Sequence, residues 1–153
     1  MKGRTAVHSP AMDTTVADAM LGTLVDGRYR VKSRVARGGM ATVYMAVDER
    51  LERTVAVKII HPTQADDPRF LSRFIDEAKT IARLTHPNVV AVYDQGTHNG
   101  LPYLVMEYVR GRTLREVLAD RRRLQPVEAL AVMEQVLAAV AAAHRAGLVH
   151  RDI

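Results

Sequence analysis

Residues 54–60, Thr54-Val55-Ala56-Val57-Lys58-Ile59-Ile60, are β-branched or apolar at every position except Lys58. Such a run predicts a strand that is buried on both faces. Placing an ammonium group in an apolar strand costs several kcal/mol unless an anion meets it. Glu77 lies nineteen residues further on, in a predicted helix, and can supply that anion. Lys58 is therefore either part of a functional site or an edge lysine whose ammonium group reaches solvent.

The segments on both sides of this strand predict a small antiparallel sheet. Alternating polar and apolar residues indicate half-buried strands, and turns that contain glycine or asparagine separate them. One stretch with helical periodicity follows the third strand and begins at Pro68. The predicted elements are strands at 28–35, 42–47, 54–60, 89–93 and 101–108 and a helix at 68–84, with turns at Gly38-Gly39 and at Gly96, Asn99 and Gly100.

After residue 112 the composition becomes that of helices. Thr113 and Glu116 have the spacing of a capping box for a short helix that ends near residue 120. Pro126 can begin a longer helix that reaches about residue 146, where Gly147 would end it. The chain is therefore predicted to form a sheet lobe followed by the beginning of a helical lobe, and residues 1–25 are predicted to be a flexible leader.

The composition is that of one ordinary globular domain. The 153 residues are 48% hydrophobic and 25% charged, which argues against global disorder. Cysteine is absent, so disulfide frameworks and thiolate metal sites are excluded. No run approaches eighteen consecutive apolar residues, and the N-terminus lacks the apolar core of a signal peptide, so we expect this segment to be cytoplasmic.

The net charge of +5 comes from one local cluster of arginines. Residues 110–123 contain six arginines against Glu116 and Asp120, a local net charge of +4, which leaves +1 for the rest of the chain. A nucleic-acid-binding protein typically carries a more extended basic surface. A solvated helix face is the preferred interpretation of this cluster, and no nucleic-acid partner is expected.

The turn at Gly38 and Gly39 can bring backbone N–H groups close to phosphate oxygens, because it carries little side-chain bulk. Taken alone, it could equally be an ordinary glycine hairpin. Lys58 follows Gly38 by twenty residues, and Asp152, in the sequence His150-Arg151-Asp152, follows Lys58 by ninety-four. A lysine–glutamate pair beneath a glycine turn would position the phosphates of a nucleotide.

This ordered set resembles the protein kinase family. Val55-Ala56-Val57-Lys58 matches the family's V-A-I-K strand, and His150-Arg151-Asp152 matches the H-R-D opening of its catalytic loop. The resemblance extends from about residue 28 to the last residue. Further details are similar to bacterial serine/threonine kinases of the actinobacterial type, namely Gly38-Gly39-Met40, His86-Pro87-Asn88, Val105-Met106-Glu107-Tyr108 and Ala143-His144-Arg145-Ala146-Gly147.

The resemblance implies a protein-kinase-like α+β fold with a complete five-stranded N-lobe and an incomplete helical C-lobe. The kinase domain would occupy residues 26–153, with the N-lobe at 26–108, the hinge at 109–112 and the start of the C-lobe at 113–153. The chain ends within the catalytic loop, so we expect it to be a fragment of a larger kinase. The magnesium-binding asparagine and the Asp-Phe-Gly aspartate of the family are absent from it, so no metal site is expected within these residues.

The resemblance also implies roles for individual residues. Lys58 would contact the α- and β-phosphates of ATP and pair with Glu77, and Asp152 would be the catalytic base. Arg151 would pair with a phosphorylated activation loop, which suggests autophosphorylation. Two loop glycines of the family correspond here to Ala36 and Ala41, which reduces the plasticity of the loop. The nucleotide-binding set would be Val35, Gly38, Gly39, Val43, Ala56, Lys58, Met106, Glu107, Val109 and Leu114, with Met106 as gatekeeper.

The function implied by the resemblance is that of a serine/threonine protein kinase that uses ATP and, in its complete form, Mg²⁺. Its partners would be ATP and protein substrates. The resemblance leaves open whether the kinase forms a homodimer and whether a later segment anchors it in a membrane. The isolated 153 residues are expected to be inactive because the metal ligands are missing. The alternative is an ATP-binding, pseudokinase-like regulatory module.

Overall fold

The computed structural model describes residues 19–149 and shows one antiparallel sheet followed by helices. The sheet has six strands in the order β1-β2-β3-β4-β6-β5, and every neighbouring pair is antiparallel. The strands are β1 (Leu24–Val25), β2 (Tyr29–Arg37), β3 (Ala41–Asp48), β4 (Arg53–Ile60), β5 (Val92–His98) and β6 (Leu101–Glu107). The helices are α1 (Pro62–Ala65), α2 (Pro68–Ala82), α3 (Leu114–Arg121) and α4 (Pro126–Arg145).

The sixth strand corrects the predicted number of five. Leu24 and Val25, which the sequence placed in the flexible leader, pair with Arg30 and Tyr29 as the edge strand β1. Val25 is completely buried, because it joins the apolar cluster above the sheet. A strand of two residues is too short to show alternation in the sequence, so this element could not be predicted from periodicity.

The two faces of the sheet differ in polarity because successive side chains of a strand point to opposite faces. Tyr44, Val57 and Val105 lie opposite one another in β3, β4 and β6 and are buried on one face. This face forms the core of the sheet lobe, with partly buried Met20 and Leu101 packed against it. The core cluster consists of Val25, Tyr29, Val31, Tyr44, Ala46, Val55, Val57, Ile59, Tyr103 and Val105.

A polar network closes the end of this core. Asp48 is only 1% exposed and accepts two hydrogen bonds from the Arg28 guanidinium, at 2.9 and 2.7 Å. The Tyr29 hydroxyl donates to Asp94, and the Tyr103 hydroxyl donates to Asp26 at 2.8 Å. Hydrogen bonding from Arg28 lowers the pKa of the Asp48 carboxyl, and burial raises the pKa of both tyrosines. These bonds connect the β1–β2 turn to β5 and β6.

Strand β5 begins three residues later than predicted. Val89 and Val90 lie in the loop before it, and Gly96, which was predicted to be in a turn, lies within the strand. A Cβ atom at Gly96 would lie 2.5 Å from the Tyr103 hydroxyl oxygen, so only glycine fits against this ring. The turn itself consists of Asn99 and Gly100, both with positive φ, as two-residue hairpin turns require.

Three predicted helices are present, and their capping signals act as expected. Thr113 and Glu116 form a capping box at the start of α3, and Pro126 occupies the first turn of α4. Gly147 has φ of +80° just after α4, which confirms its predicted role in ending the helix. Asp67 caps α2 by accepting a hydrogen bond from the Arg69 N–H. The four-residue α1 was not predicted.

Helix α4 exposes a large apolar surface. Val127, Leu130 and Leu137 are 78%, 71% and 60% exposed. By length and composition alone the helix could cross a membrane, although Glu128 and Glu134 interrupt it, and core helices of soluble proteins satisfy the same criterion. The criterion of eighteen consecutive apolar residues is still not met, because Glu128 and Glu134 lie within this helix.

Candidate functional site

Strands β3, β4 and β6 bring four of the predicted nucleotide-binding residues onto one face of the sheet. Val43 lies opposite Lys58, and Ala56 lies opposite Met106. Side chains that lie directly opposite in an antiparallel ladder share a face. Val43, Lys58 and Met106 are half-buried, in contrast to the fully buried residues that alternate with them. The ladder thus places Lys58 on the same face as the apolar side chains of Val43, Ala56 and Met106.

Lys58 and Glu77 are not joined in this structure. No ion pair or hydrogen bond connects them within residues 19–149, although the resemblance implied such a pair. Helix α2 packs mainly against β5 rather than against β4, which carries Lys58. Glu77 is exposed and borders a cavity beside Ile81. The described part of the chain therefore contains no anion paired with Lys58.

The turn between β2 and β3 is open to solvent. The Gly38 N–H donates to the Ala41 carbonyl oxygen at 2.9 Å, which closes the turn. A Cβ atom at Gly39 would meet nothing within 4 Å, so space is available in front of the backbone. Val35 is 52% exposed and lies at a bulge, because Arg34 pairs with Tyr44 but Ala36 pairs with Val43. The two glycines and Val35 are thus accessible to a ligand.

His61 fastens this turn to the end of β4, which the sequence did not reveal. Its ring nitrogens lie 2.9 Å from the Thr42 hydroxyl oxygen and 3.2 Å from the Gly39 carbonyl oxygen. Its backbone N–H donates to the Met40 carbonyl oxygen at 2.9 Å. The only available signal was a polar residue immediately after a buried strand, and such residues are common.

The end of β6 and the residues after it differ in how their backbone groups are bonded. The Glu107 N–H donates to the Ala91 carbonyl oxygen, and the Glu107 carboxylate accepts from the Ala91 N–H. Val109 is 61% exposed, and its backbone N–H and C=O make no hydrogen bond with residues 19–149. Leu114, at the start of α3, is 44% exposed. The backbone of Val109 is therefore available to a ligand, and no described contact brings Leu114 against the sheet.

Asp152, His150 and Arg151 lie outside the described residues. Within residues 19–149 no group of three or more His, Asp or Glu side chains is placed to hold a metal ion.

The arginine cluster forms ion pairs at the surface. Arg121 donates to both carboxylate oxygens of Glu128, at 3.0 and 2.8 Å, and Arg112 pairs with Asp120. All four side chains are 43% or more exposed. This arrangement is that of a solvated helix face, in agreement with the preferred interpretation of the cluster.

An apolar cavity of about 550 Å³ lies between α2 and α4. The side chains that border it include Ile81, Leu84, Val136 and Val140, together with Glu77. It is separate from the apolar face of β3, β4 and β6, because none of Val43, Ala56, Lys58 and Met106 lines it.

The comparisons with known proteins agree on one family. The protein kinase domain model matches residues 29–153. Serine/threonine-protein kinase PknL of Mycobacterium tuberculosis is 48% identical over 136 residues, and PrkC of Bacillus subtilis is 45% identical over 134 residues. These matches cover 89% and 88% of this chain but 34% and 21% of the relatives, so the chain spans about a third or less of their length. The crystal structure of the M. tuberculosis PknI kinase domain aligns with a TM-score of 0.75 and 34% identity, over 86% of this chain and 54% of that one.

Proposed function

Because the chain belongs to the protein kinase family, as its motifs predicted, we propose that it forms the ATP-binding part of a bacterial serine/threonine protein kinase. The complete enzyme would transfer the γ-phosphoryl group of ATP to serine or threonine hydroxyls of proteins. The observation that carries this proposal is the ladder that aligns Val43 with Lys58 and Ala56 with Met106 on one half-buried face.

Different residues of this chain would bind different parts of ATP. The adenine ring would lie against Val35, Val43, Ala56 and Met106, and the backbone of Glu107 and Val109 would bind its polar edge. Lys58 would bind the α- and β-phosphates, which the open turn at Gly38 and Gly39 would cover. A cation without an anionic partner among the described residues suits this role, because the phosphates supply the missing charge.

Two further assignments rest on the family resemblance. Glu77 would hold Lys58 in place once α2 has moved toward β4, and Asp152 would accept the proton of the substrate hydroxyl. Mg²⁺ would neutralise charge on the phosphates in the complete kinase, but the described residues offer no carboxylate cluster that fits it. We assign no magnesium ligand to this chain.

The location and the partners of the chain follow from the same proposal. ATP is a cytoplasmic substrate, which supports a cytoplasmic location for this segment. Protein substrates, autophosphorylation and a kinase homodimer stay predictions from the family.

Binding of nucleotides to the 153-residue chain tests the proposal directly. Isothermal titration with ATP and with adenosine should show tighter binding of ATP. Lys58→Met should weaken ATP binding at least tenfold but leave adenosine binding unchanged, because it removes only the cation that meets the phosphates. Lys79→Met is the matched control, since Lys79 is exposed at the end of α2. An equal loss of ATP affinity in Lys58→Met and Lys79→Met would contradict the proposal. So would the absence of ATP binding by the unaltered chain.

A chimera tests phosphoryl transfer. The chain would be joined at residue 153 to the remainder of the PknL kinase domain and incubated with radiolabelled ATP, Mg²⁺ and a protein rich in serine and threonine. Transfer that is lost in Asp152→Asn supports the kinase, whereas ATP binding without transfer by the chimera supports the pseudokinase-like module.

A further inference from the structure

His61 contacts three residues at the turn before β3 and at the start of that strand, although it is nineteen or more residues away from them in sequence. The two ring contacts are to Thr42 and Gly39, and the backbone contact is to Met40. Within residues 19–149 the turn has one other backbone hydrogen bond, from Gly38 to Ala41. Beyond the pairing of β3 with β2 and β4, His61 therefore connects the tip of this hairpin to the end of β4 through its side chain.

The chemistry of the two ring partners fixes the roles of the two ring nitrogens. The Gly39 carbonyl oxygen can only accept, so Nδ1 carries a proton and donates to it. In the neutral ring Nε2 then accepts a hydrogen bond from the Thr42 hydroxyl. Thr42 is only 6% exposed, so its hydroxyl has no ready replacement partner in water. The ladder already holds Thr42 beside Ile59, whereas the bond to Gly39 is made only when the turn lies against the end of β4.

We propose that His61 is a positioning residue that holds the Gly38–Gly39 turn in place for binding the phosphates of a nucleotide. This inference rests on the proposed function, because it assigns the turn to phosphate binding. A glycine turn that is exposed on both sides samples many backbone conformations, and fixing it costs entropy when the ligand binds. With the Gly39 carbonyl held by His61, part of this entropy is already lost before the nucleotide arrives, so binding costs less.

The proposal separates two parts of nucleotide affinity. The adenine surface of Val43, Ala56 and Met106 is set by the β-ladder and does not involve His61. Replacing His61 by alanine should therefore weaken binding of ATP and ADP by roughly 5- to 30-fold, the effect of losing one or two hydrogen bonds, but leave adenosine binding unchanged. A merely structural role would weaken all three ligands together.

The experiment is isothermal titration of the 153-residue chain and its variants with ATP, ADP and adenosine. His61→Gln can restore the contact to Thr42 and should recover part of the loss, and Thr42→Val should reproduce part of it. Thr42→Ser, which keeps the hydroxyl, should behave like the unaltered chain. His144→Ala is the matched control, because this exposed histidine lies on α4, away from the turn.

Amide hydrogen exchange provides a second measurement that needs no ligand. In the nucleotide-free chain, His61→Ala should increase exchange at residues 38–42 while the amides of β4 keep their protection. Unchanged exchange at the turn, or equal weakening of ATP and adenosine, would overturn the inference. If the unaltered chain binds neither ligand, the proposed function itself fails, and with it the role assigned to His61 in phosphate binding.

Discussion

Replacing Asp48 removes the anion on which the polar end of the sheet depends. The carboxylate is 1% exposed, accepts two hydrogen bonds from Arg28 and also accepts the N–H groups of Arg50 and Leu51, at 3.0 and 3.2 Å. Breaking a buried charged pair costs about 3–5 kcal/mol. Because the Arg28 side chain is 22% exposed and lies 3.7 Å from Asp94, water and Asp94 compensate in part. We therefore expect Asp48→Ala to lower the free energy of unfolding by about 3 kcal/mol, and Asp48→Asn by about 2 kcal/mol because an acceptor oxygen remains.

Urea unfolding of the 153-residue chain, followed by circular dichroism, measures this difference. Glu49→Ala is the matched control on the next residue, because its ion pair with Arg30 joins two side chains that are each more than a third exposed and contributes little. If Asp48→Ala lowers the unfolding midpoint no more than Glu49→Ala does, the network does not stabilise the fold as argued.

The contribution of Asp48 to the free energy of unfolding should also depend on pH. Hydrogen bonding from Arg28 lowers the pKa of Asp48 in the folded chain below the value near 4 that is usual for aspartate. Its contribution to stability is then complete above the pKa of the unfolded chain and is lost as the pH falls through the lower, folded-state pKa. The stability difference between the unaltered chain and Asp48→Asn should therefore shrink below about pH 4. A difference that is constant from pH 7 to pH 3 would refute the assigned pKa shift.

Two further predictions concern packing. Gly96→Ala should lower the free energy of unfolding by about 1–3 kcal/mol, because the added Cβ atom would displace the Tyr103 ring. Gly39→Ala is the control, since a Cβ atom at Gly39 would meet nothing within 4 Å. It should change the free energy of unfolding much less in the same urea titration. Hydrogen exchange should protect β4 and β6 more than residues 127–143, because isolated helices are marginal without a packing partner and α4 exposes Val127, Leu130 and Leu137. Equal protection of α4 would show that its apolar face is covered, for example by a second copy of the chain.

The sequence predicted the centre of the sheet well because local and long-range forces agree there. In β3 and β4, β-branched residues alternate or run together, and their burial in the structure follows that pattern. In β5 the local strand propensity and the long-range contacts disagree. Val89 and Val90 have the side chains of a strand but lie in a loop, whereas Asp94 and Gly96 have low strand propensity and lie in the strand. The Tyr29–Asp94 hydrogen bond and the Tyr103 ring against Gly96 set this register, and neither contact is visible in a local window.

The candidate site was predictable to the extent that it lies on one ladder. Once β3, β4 and β6 were identified, alternation was enough to place Val43, Ala56 and Lys58 on a common face. The spacing between Lys58 and Glu77 gave no such constraint, because the position of a helix against a sheet depends on packing and not on the number of intervening residues. His61 was missed for the same reason, since its partners are nineteen and twenty-two residues away.

The site thus combines a rigid part with two parts that are less firmly attached. The ladder of β3, β4 and β6 fixes Lys58 and the apolar face beside it through continuous backbone pairing. The glycine turn contacts the end of β4 through His61, and α2 is packed against β5, away from the strand of Lys58. A nucleotide that binds Lys58 and the turn together would supply the charge that Lys58 lacks among the described residues. Under the proposed function, the turn would become ordered and Glu77 would approach Lys58 only if the nucleotide binds that arrangement more tightly than the one seen here, since a ligand shifts a conformational equilibrium only by its difference in affinity for the two states.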